Sequence, residues 1–325
     1  MKNTLTVTRE DVLLAEARVR PRLAPTPARW CAPMGAWLKL ENQQQTGSYK
    51  VRGALNALTM RVSAGDLRPV VAASAGNHAR GVAWAARRLG LRAVVVMPVS
   101  APRIKVQGAV ALGAEVVLAG STYEEAEAEA ARLALTLGGR ILPPFDDAGV
   151  IAGQGTVGLE LLELAPDVVL VPIGGGGLAA GVGLALAPLG VRVVGVQVEG
   201  VDGMRRALRG EPALTSAAET IADGVRVRSP GALTRAVCAG TLDDVVTVSE
   251  AEVRAALVEL AVRAGVVAEG AGAVAAAALA KVPGRRKVAV VSGGNIDAER
   301  FQDVLAGVGP ARTPARAARA GELTC

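Results

Sequence analysis

The chain has 325 residues, 51% of them hydrophobic and only 2% aromatic, so we expect a large core built from Ala, Val and Leu. Its 36 basic residues are scattered and nearly balanced by 30 acidic ones, which leaves a net charge of +6 and argues against a nucleic-acid surface. A single histidine excludes a metal site built from several histidines.

Apolar runs and turn signals divide the first 145 residues into alternating helices and strands. The predicted helices cover residues 8–20, 50–61, 78–89, 102–112 and 123–137. The predicted strands cover residues 36–41, 70–73, 93–97 and 115–118. Such alternation is typical of parallel sheets, and residues 65–145 are predicted to form a small α/β domain with four strands.

The second half of the chain continues the alternation. Strands are predicted at residues 167–173, 193–198 and 288–292, and helices at 178–187 and 249–263. We predict that residues 1–64 and 146–310 form one large domain and that 311–325 are a disordered tail. The predicted fold is therefore α/β, with mainly parallel open sheets flanked by helices.

Three cysteines, Cys31, Cys238 and Cys325, show no motif spacing, which indicates reduced thiols and a cytoplasmic protein. The N-terminal residues lack the apolar segment of a signal peptide, and no apolar run reaches the roughly 20 residues of a membrane span. We therefore expect neither a membrane nor nucleic acid among the partners.

A run of four glycines, Gly174–Gly177, joins a buried strand directly to a helix that begins near Leu178. Bare N–H groups at the positive end of a helix form a cradle for phosphate. No Lys-Ser/Thr pair follows, and the glycines are contiguous, so the run is neither a Walker loop nor a dinucleotide fingerprint. The sequence favours a phosphate that is not part of a nucleotide, with a flexible loop as the plain alternative.

Three further polar residues stand at turns where α/β sheets bind ligands. Lys50 is one of only six lysines, at the start of a helix, where a desolvated amine has a lowered pKa and can form a Schiff base. Asn77 could bind a ligand or cap a helix, and Ser292 could bind a ligand or belong to a tight turn. Glu199 ends a strand at the same sheet edge, and Glu269 is most simply a first-turn carboxylate.

Seven segments in family order resemble the fold-type II pyridoxal-phosphate enzymes, specifically the serine/threonine dehydratases. They lie at residues 45–54, 73–79, 145–156, 174–178, 220–225, 268–272 and 292–295, and the resemblance covers about residues 5–308. It implies a two-lobed architecture with pyridoxal 5'-phosphate (PLP) as the cofactor. It also implies a short form without a regulatory domain, assembled as a homodimer or homotetramer.

The resemblance assigns roles to individual residues. It makes Lys50 the catalytic Schiff-base lysine, places Tyr49 beside it where Phe is usual, and directs Asn77 to the ring 3-oxygen and Ser292 to the pyridine nitrogen. The phosphate would be held by Gly174, Gly175, Gly176, Gly177 and Leu178. The substrate carboxylate would be bound by the loop of Ser74, Ala75, Gly76, Asn77 and His78.

Besides Tyr49, two further departures from the family pattern and one difference from the racemases bear on specificity. Arg80 stands where Gln is common, beside the substrate loop. Metal-binding relatives place acidic ligands at Glu199 and six residues later, where this chain has Arg205, so no metal is expected and Arg205 could pair with Glu199. Ala75 stands where the racemases of the family have a serine.

The resemblance implies β-elimination from L-threonine or L-serine to a 2-oxo acid and ammonia, with a small β-hydroxy amino acid as the partner. The alternative within the family is a racemase or dehydratase of serine, 3-hydroxyaspartate or phenylserine. Outside the enzymes, the alternatives are a non-catalytic cofactor carrier, which Lys50 argues against, and a nucleic-acid-binding protein, which the scattered charge argues against.

Overall fold

A computed structural model describes residues 7–307, which form two sheets flanked by helices. The strands in this range are β1 Ala28–Cys31, β2 Ala36–Leu40, β3 Val70–Ala73, β4 Ala93–Met97, β5 Glu115–Leu118, β6 Arg140–Ile141, β7 Val168–Pro172, β8 Arg192–Val198, β9 Asp244–Val248 and β10 Lys287–Val291. The helices are α1 Arg9–Val19, α2 Lys50–Ser63, α3 Asn77–Arg88, α4 Arg103–Ala111, α5 Tyr123–Thr136, α6 Ala148–Leu159, α7 Gly177–Leu186, α8 Gly203–Leu208, α9 Ala232–Thr241, α10 Glu250–Ala264, α11 Gly270–Ala277 and α12 Ala298–Gly307.

The larger sheet has the strand order β1-β2-β10-β7-β8-β9, and all its pairings are parallel except the edge pair β1–β2. The smaller sheet has the order β5-β4-β3-β6 and is parallel throughout. The predicted α/β fold with mainly parallel sheets is confirmed.

The smaller sheet lies within the range 65–145 predicted for a small domain, and the larger sheet takes strands from both sides of that range. The domain boundaries themselves stay predictions. Residues 308–310 of the predicted large domain and the predicted tail at 311–325 lie outside the described residues, as does Cys325.

The central strands form because their β-branched and small side chains are buried on both faces of each sheet. Every residue of β3, β4 and β7 is buried, as parallel strands covered by helices on both sides require. The core consists mainly of Val, Ala and Leu side chains, as the composition predicts. The free thiols of Cys31 and Cys238 are buried within it. Within residues 7–307, none of the helices combines the length and the apolar character that a membrane crossing needs.

Two capping boxes start helices where the sequence predicts them. The Thr8 side chain accepts a hydrogen bond from the Asp11 N–H, and the Asp11 carboxylate accepts one from the Thr8 N–H. Ser249 and Glu252 make the same reciprocal pair at the start of α10. Each box satisfies N–H groups that the first turn of a helix leaves without a partner.

Helix α6 lies between α2 and α7 and approaches both through glycine. A Cβ on Gly153 would lie 2.7 Å from the Arg52 carbonyl oxygen on α2. A Cβ on Gly181 of α7 would lie 2.5 Å from the Gly155 nitrogen on α6. Real Cβ atoms do not come this close to backbone, so the three helices can pack at this spacing only with glycine at these positions.

We expect Gly181→Ala to destabilise the protein by roughly 1–3 kcal/mol, because the added methyl group would overlap the backbone of α6. Gly240→Ala is the matched control, since Gly240 is also helical but a Cβ there meets nothing within 4 Å. Thermal unfolding of the two variants and the parent checks this. Equal midpoints for Gly181→Ala and Gly240→Ala would contradict the close contact.

Candidate active site

The candidate active site lies where the carboxyl ends of β7 and β10 meet the N-termini of α2, α3 and α11. Backbone contacts join these ends: the Tyr49 N–H donates to the Ser292 carbonyl at 3.1 Å, and Ser48 forms an antiparallel bridge with Gly293. The Glu269 N–H donates to the Gly293 carbonyl at 3.1 Å. Open α/β sheets bind ligands at this edge, as the sequence analysis expects.

Lys50 is the first residue of α2, and its Nζ donates a hydrogen bond to the Pro144 carbonyl at 2.7 Å. The Nζ also lies 5.3 Å from the centre of the Tyr49 ring. Burial lowers the pKa of Lys50 to about 8, although the negative charge of Glu269 opposes this shift. An amine with this pKa is partly unprotonated near neutral pH and can act as a nucleophile or base.

The glycine loop follows β7 and leads into α7. None of the N–H groups of Gly174–Leu178 donates a hydrogen bond to another described residue. Gly176 is the N-cap of α7 and has φ +101°, a conformation that side-chain-bearing residues rarely adopt. Free N–H groups at the start of a buried helix fit a phosphate group.

The glycine loop packs against the segment that precedes α6, which contains Phe145 and Asp146. A Cβ on Gly175 would overlap the Phe145 ring, so the loop packs directly on this aromatic side chain. The Asp146 carboxylate accepts hydrogen bonds at 3.0 Å from three N–H groups at the start of α9. Thr234 of α9 in turn donates its hydroxyl to the Gly175 carbonyl at 2.7 Å. The loop is therefore fixed through its carbonyls and its apolar face, which leaves its N–H groups free.

The loop Ser74–His78 joins β3 to α3. The Ser74 Oγ accepts a hydrogen bond from the Gly76 N–H at 3.2 Å, whereas the N–H groups of Ala75, Asn77 and His78 have no partner among the described residues. Three free N–H groups at a helix N-terminus fit a carboxylate.

The His78 side chain points away from this loop, with Nε2 2.9 Å from the Leu142 carbonyl oxygen. Burial, helped by the charge of Lys50, lowers the pKa of His78 to about 3. The imidazole is therefore neutral at ordinary pH, and it supports the fold while the His78 N–H remains available to a ligand.

A chain of hydrogen bonds links Asn295, Asn77 and Glu269 across the site. The Asn77 Nδ2 donates to the Glu269 Oε1 at 2.5 Å, and the Asn295 Nδ2 donates to the Asn77 Oδ1 at 2.7 Å. The Asn77 amide is therefore held by two partners, and its predicted approach to a ring oxygen stays a prediction.

Glu269 is the residue whose place in the site the sequence analysis missed. It is the N-cap of α11 and only 7% exposed, and burial raises its pKa to about 7 while the Asn77 hydrogen bond opposes the shift. A carboxylate near the start of a helix is ordinarily a capping group. The one signal in the sequence was its position within the family-like segment 268–272.

Ser292 ends the strand run of β10 and is only 3% exposed. Its hydroxyl donates to the Ala271 carbonyl at 3.2 Å, and no charged side chain of residues 7–307 forms a hydrogen bond with it. A neutral hydroxyl fits an unprotonated ring nitrogen, whereas a carboxylate would favour the protonated form.

Arg205 pairs with Asp202 at 3.2 Å, so the predicted pairing with Glu199 is wrong. Asp202 and Arg205 are three residues apart at the start of α8, which places their side chains on the same face, while Glu199 is exposed. In the described part of the chain, no group of three or more His, Cys, Asp or Glu residues could hold a metal ion. The expectation that no metal binds at Glu199 stays a prediction.

Arg80 lies in the first turn of α3, directly after the loop Ser74–His78, and its side chain reaches α4. Its Nε donates to the Thr46 carbonyl at 3.2 Å, the same oxygen that accepts from the Asn295 Nδ2 at 2.9 Å. A Cβ on Gly108 would lie 2.6 Å from the Arg80 Nη1. The guanidinium therefore connects the loop that precedes Lys50 to α4.

Comparison with known proteins identifies the family. Residues 19–293 match the model of the pyridoxal-phosphate dependent enzyme family, and the chain belongs to it. The catabolic L-threonine dehydratase TdcB of Escherichia coli strain K12 is 44% identical over 279 residues, which are 82% of this chain and 85% of that protein. The predicted resemblance is confirmed, and PLP is the cofactor.

Solved structures agree with this assignment. The T.th. threonine deaminase, known from a crystal structure, is 39% identical, has a TM-score of 0.83 and covers 89% of this chain and 98% of its own. Maize serine racemase is 30% identical, has a TM-score of 0.85 and covers 93% of this chain and 98% of its own.

We expect Glu269→Gln to move the pKa of Lys50 below about 8, because the ionised Glu269 is the charge that opposes the burial effect. The change appears above pH 7, where Glu269 is ionised in the parent. To measure this pKa, an amine-reactive reagent is added to the cofactor-free protein at a series of pH values. The rate at which Lys50 is modified is followed by peptide mapping.

Glu259→Gln is the control for the Glu269 variant. It removes the same charge from a partly exposed pair with Arg263 on α10. A Lys50 pKa that is the same in all three proteins, or that rises in Glu269→Gln, would contradict the predicted electrostatic coupling.

Proposed function

We propose that the protein is a PLP-dependent ammonia-lyase that converts L-threonine, and also L-serine, to the 2-oxo acid and ammonia. The water lost across the Cα–Cβ bond is regained when the released enamine hydrolyses, so the reaction needs no other reactant. The observation that carries the proposal is that one segment, Pro144–Phe145, contacts both the reactive amine of Lys50 and the glycine loop. The Pro144 carbonyl accepts from the Lys50 Nζ, and the next residue, Phe145, packs under the glycine loop.

Bound PLP supplies an aldehyde that condenses with amines and a ring that withdraws electrons from the substrate's α-carbon. The groups that would hold it are Lys50, the free N–H groups of Gly174–Leu178 and the Ser292 hydroxyl. The Lys50 amine is reactive because its pKa is lowered, and the N–H groups of Gly174–Leu178 have no partner among the described residues. The Ser292 hydroxyl is uncharged.

Lys50 acts as the general base in this proposal. With a pKa of about 8, its amine is basic enough to take the α-proton of a bound amino acid and is partly unprotonated at neutral pH. The N–H groups of Ala75, Asn77 and His78 would orient the substrate carboxylate, which fixes the α-carbon relative to the base.

Ser292 favours elimination over transamination. A hydroxyl cannot protonate a ring nitrogen as a neighbouring carboxyl group can, so negative charge on the α-carbon is stabilised less. Prompt loss of the β-hydroxyl is then the preferred outcome.

The substrate proposal rests on the relatives, whose names give L-threonine as the molecule they act on. A second candidate, serine racemase or a dehydratase of another β-hydroxy amino acid, is favoured by the structural likeness to maize serine racemase. Racemisation needs a second proton carrier opposite Lys50. Ala75 offers only a methyl group, and the Ser74 side chain is held within its own turn, where its Oγ accepts a hydrogen bond from the Gly76 N–H.

A homodimer or homotetramer and a cytoplasmic location stay predictions that follow from the resemblance and the cysteine content. The partner that the site supports is a small β-hydroxy amino acid.

We expect Lys50→Ala to lower the turnover of L-threonine by at least ~100-fold, because the variant lacks the general base. Formation of the 2-oxo acid measures turnover, and fluorescence titration checks that PLP still binds. Lys281→Ala, which removes an exposed lysine paired with Glu252, is the control and should keep its activity. Near-normal turnover in Lys50→Ala would refute the proposed mechanism.

We expect L-serine incubated with the protein to yield pyruvate and ammonia with negligible D-serine, because position 75 carries no group that can transfer a proton. Chiral chromatography of the reaction mixture, together with a pyruvate assay, measures both products. D-serine formed at a rate comparable to pyruvate would favour the racemase alternative instead.

A further inference from the structure

Two residues beyond Lys50, the Arg52 side chain is completely buried between two carboxylates. Its Nε and Nη2 each donate to Glu41 at 2.8 Å, and its Nη1 and Nη2 donate to Glu160 at 2.6 and 2.9 Å. The Nη1 also donates to the Thr156 Oγ1 at 3.1 Å. The guanidinium has five N–H donors, and these five bonds match that number.

Lys39 completes a neutral cluster around Arg52. Its Nζ donates to Glu160 and to the Thr26 carbonyl, and the Thr26 hydroxyl donates to Glu41. Two positive and two negative side chains, each at most 5% exposed, therefore compensate one another in the interior. Buried charges are tolerated only when they are paired and hydrogen-bonded in this way, and removing one partner leaves the others uncompensated.

The cluster connects three elements, one of which is the helix that Lys50 begins. Lys39 lies on β2 and Glu41 directly follows it, Arg52 lies in the first turn of α2, and Thr156 lies on α6, with Glu160 at its C-cap. The N-cap of α2, Tyr49, makes no side-chain capping bond, and the Gly53 N–H donates instead to the Gln154 Oε1 on α6 at 3.3 Å. Within the first turn of α2, Arg52 is the residue whose side chain ties the helix to β2 and to α6 at the same time.

We propose that Arg52 is a positioning residue of the active site: its bonds to Glu41, Glu160 and Thr156 fix the first turn of α2 and so place the Lys50 Nζ beside the Pro144 carbonyl. This inference rests on the proposed role of Lys50. Arginine is required because lysine offers one charged nitrogen where the site demands a planar, two-sided donor.

Arg52→Lys tests the proposal because it keeps the charge and loses the two-sided geometry. We expect kcat for L-threonine to fall about tenfold or more, with KM changed less, since small displacements of a reacting group are costly. In the cofactor-free protein, the pKa of Lys50 should rise from about 8 toward its ordinary value as the displaced ammonium gains water.

Thr156→Val provides a gentler test should Arg52→Lys fail to fold. It removes one of the five bonds at nearly constant volume, and we expect both effects in the same direction but smaller. Leu58→Ala is the matched control, since Leu58 is fully buried on the same helix but lies beyond the first turn. It should lower the unfolding midpoint and leave kcat and the Lys50 pKa unchanged.

A purely structural cluster gives a different pattern. If Arg52→Lys and Thr156→Val lower the unfolding midpoint but leave kcat and the Lys50 pKa at the parent values, the proposal is wrong. If Lys50→Ala keeps its turnover, the proposed function itself fails. The Arg52 effect on Lys50 titration can still be measured in that case, because it needs no cofactor and no substrate.

Discussion

The backbone-to-backbone packing of α6 against α2 and α7 is the constraint on which the site depends. Lys50 begins α2, and the glycine loop leads into α7, so the spacing between the reactive amine and the cradle is set by the single helix between them. Gly153 faces α2 and Gly155 faces α7, and a side chain at either position would push its neighbour away. The glycines of α6 therefore allow the short spacing between Lys50 and the glycine loop, although they lower the intrinsic stability of the helix.

Burial shifts the pKa values of two groups in the site toward neutral pH, one downward and one upward. Burial lowers the pKa of Lys50 to about 8 and raises that of Glu269 to about 7. The sign of each shift makes the native state less stable near neutral pH than ordinary values would. Native Glu269 keeps its proton longer than in the unfolded chain, so stability falls as pH rises toward 7. Native Lys50 loses its proton earlier, so stability is regained only as pH rises above 8. The site gives up stability in the pH range in which it must exchange protons.

The sequence predicts best the elements whose signal is local. Strands β3, β4 and β5 begin and end where apolar runs and glycines predict them, and both capping boxes form. Strand β6 has only two residues, and β1 is an edge strand in which half of the residues are exposed. Neither is therefore long or buried enough to show an alternation of apolar and polar residues. Helix α6 was also missed, because a segment rich in glycine and β-branched residues has low helix propensity and becomes helical through packing.

The site follows the same division. Lys50, Asn77, Ser292 and the glycine loop stand at strand-to-helix turns, which the sequence marks, and the structure brings them to neighbouring positions. The partners that hold them are distant in the chain: Asn77 and Glu269 are 192 residues apart, and Arg52 and Glu160 are 108 apart. Neither separation leaves a local signal, so the local pattern around Glu269 indicates only a helix cap, and its place in the site shows only through the family-like segment 268–272.

The way in which the glycine loop is supported explains why an aromatic residue, Phe145, lies against it in a chain with few aromatic residues. The N–H groups of the loop must stay free to bind a ligand, so the loop cannot be fixed by donating its own backbone hydrogen bonds. It is held through what remains: the Gly175 carbonyl, which accepts from Thr234, and the bare backbone face, which packs on the Phe145 ring. A flat, rigid ring fills that face without offering a competing polar group. Phe145 is one of only two phenylalanines in the chain, and its position reflects this requirement of an anion-binding loop.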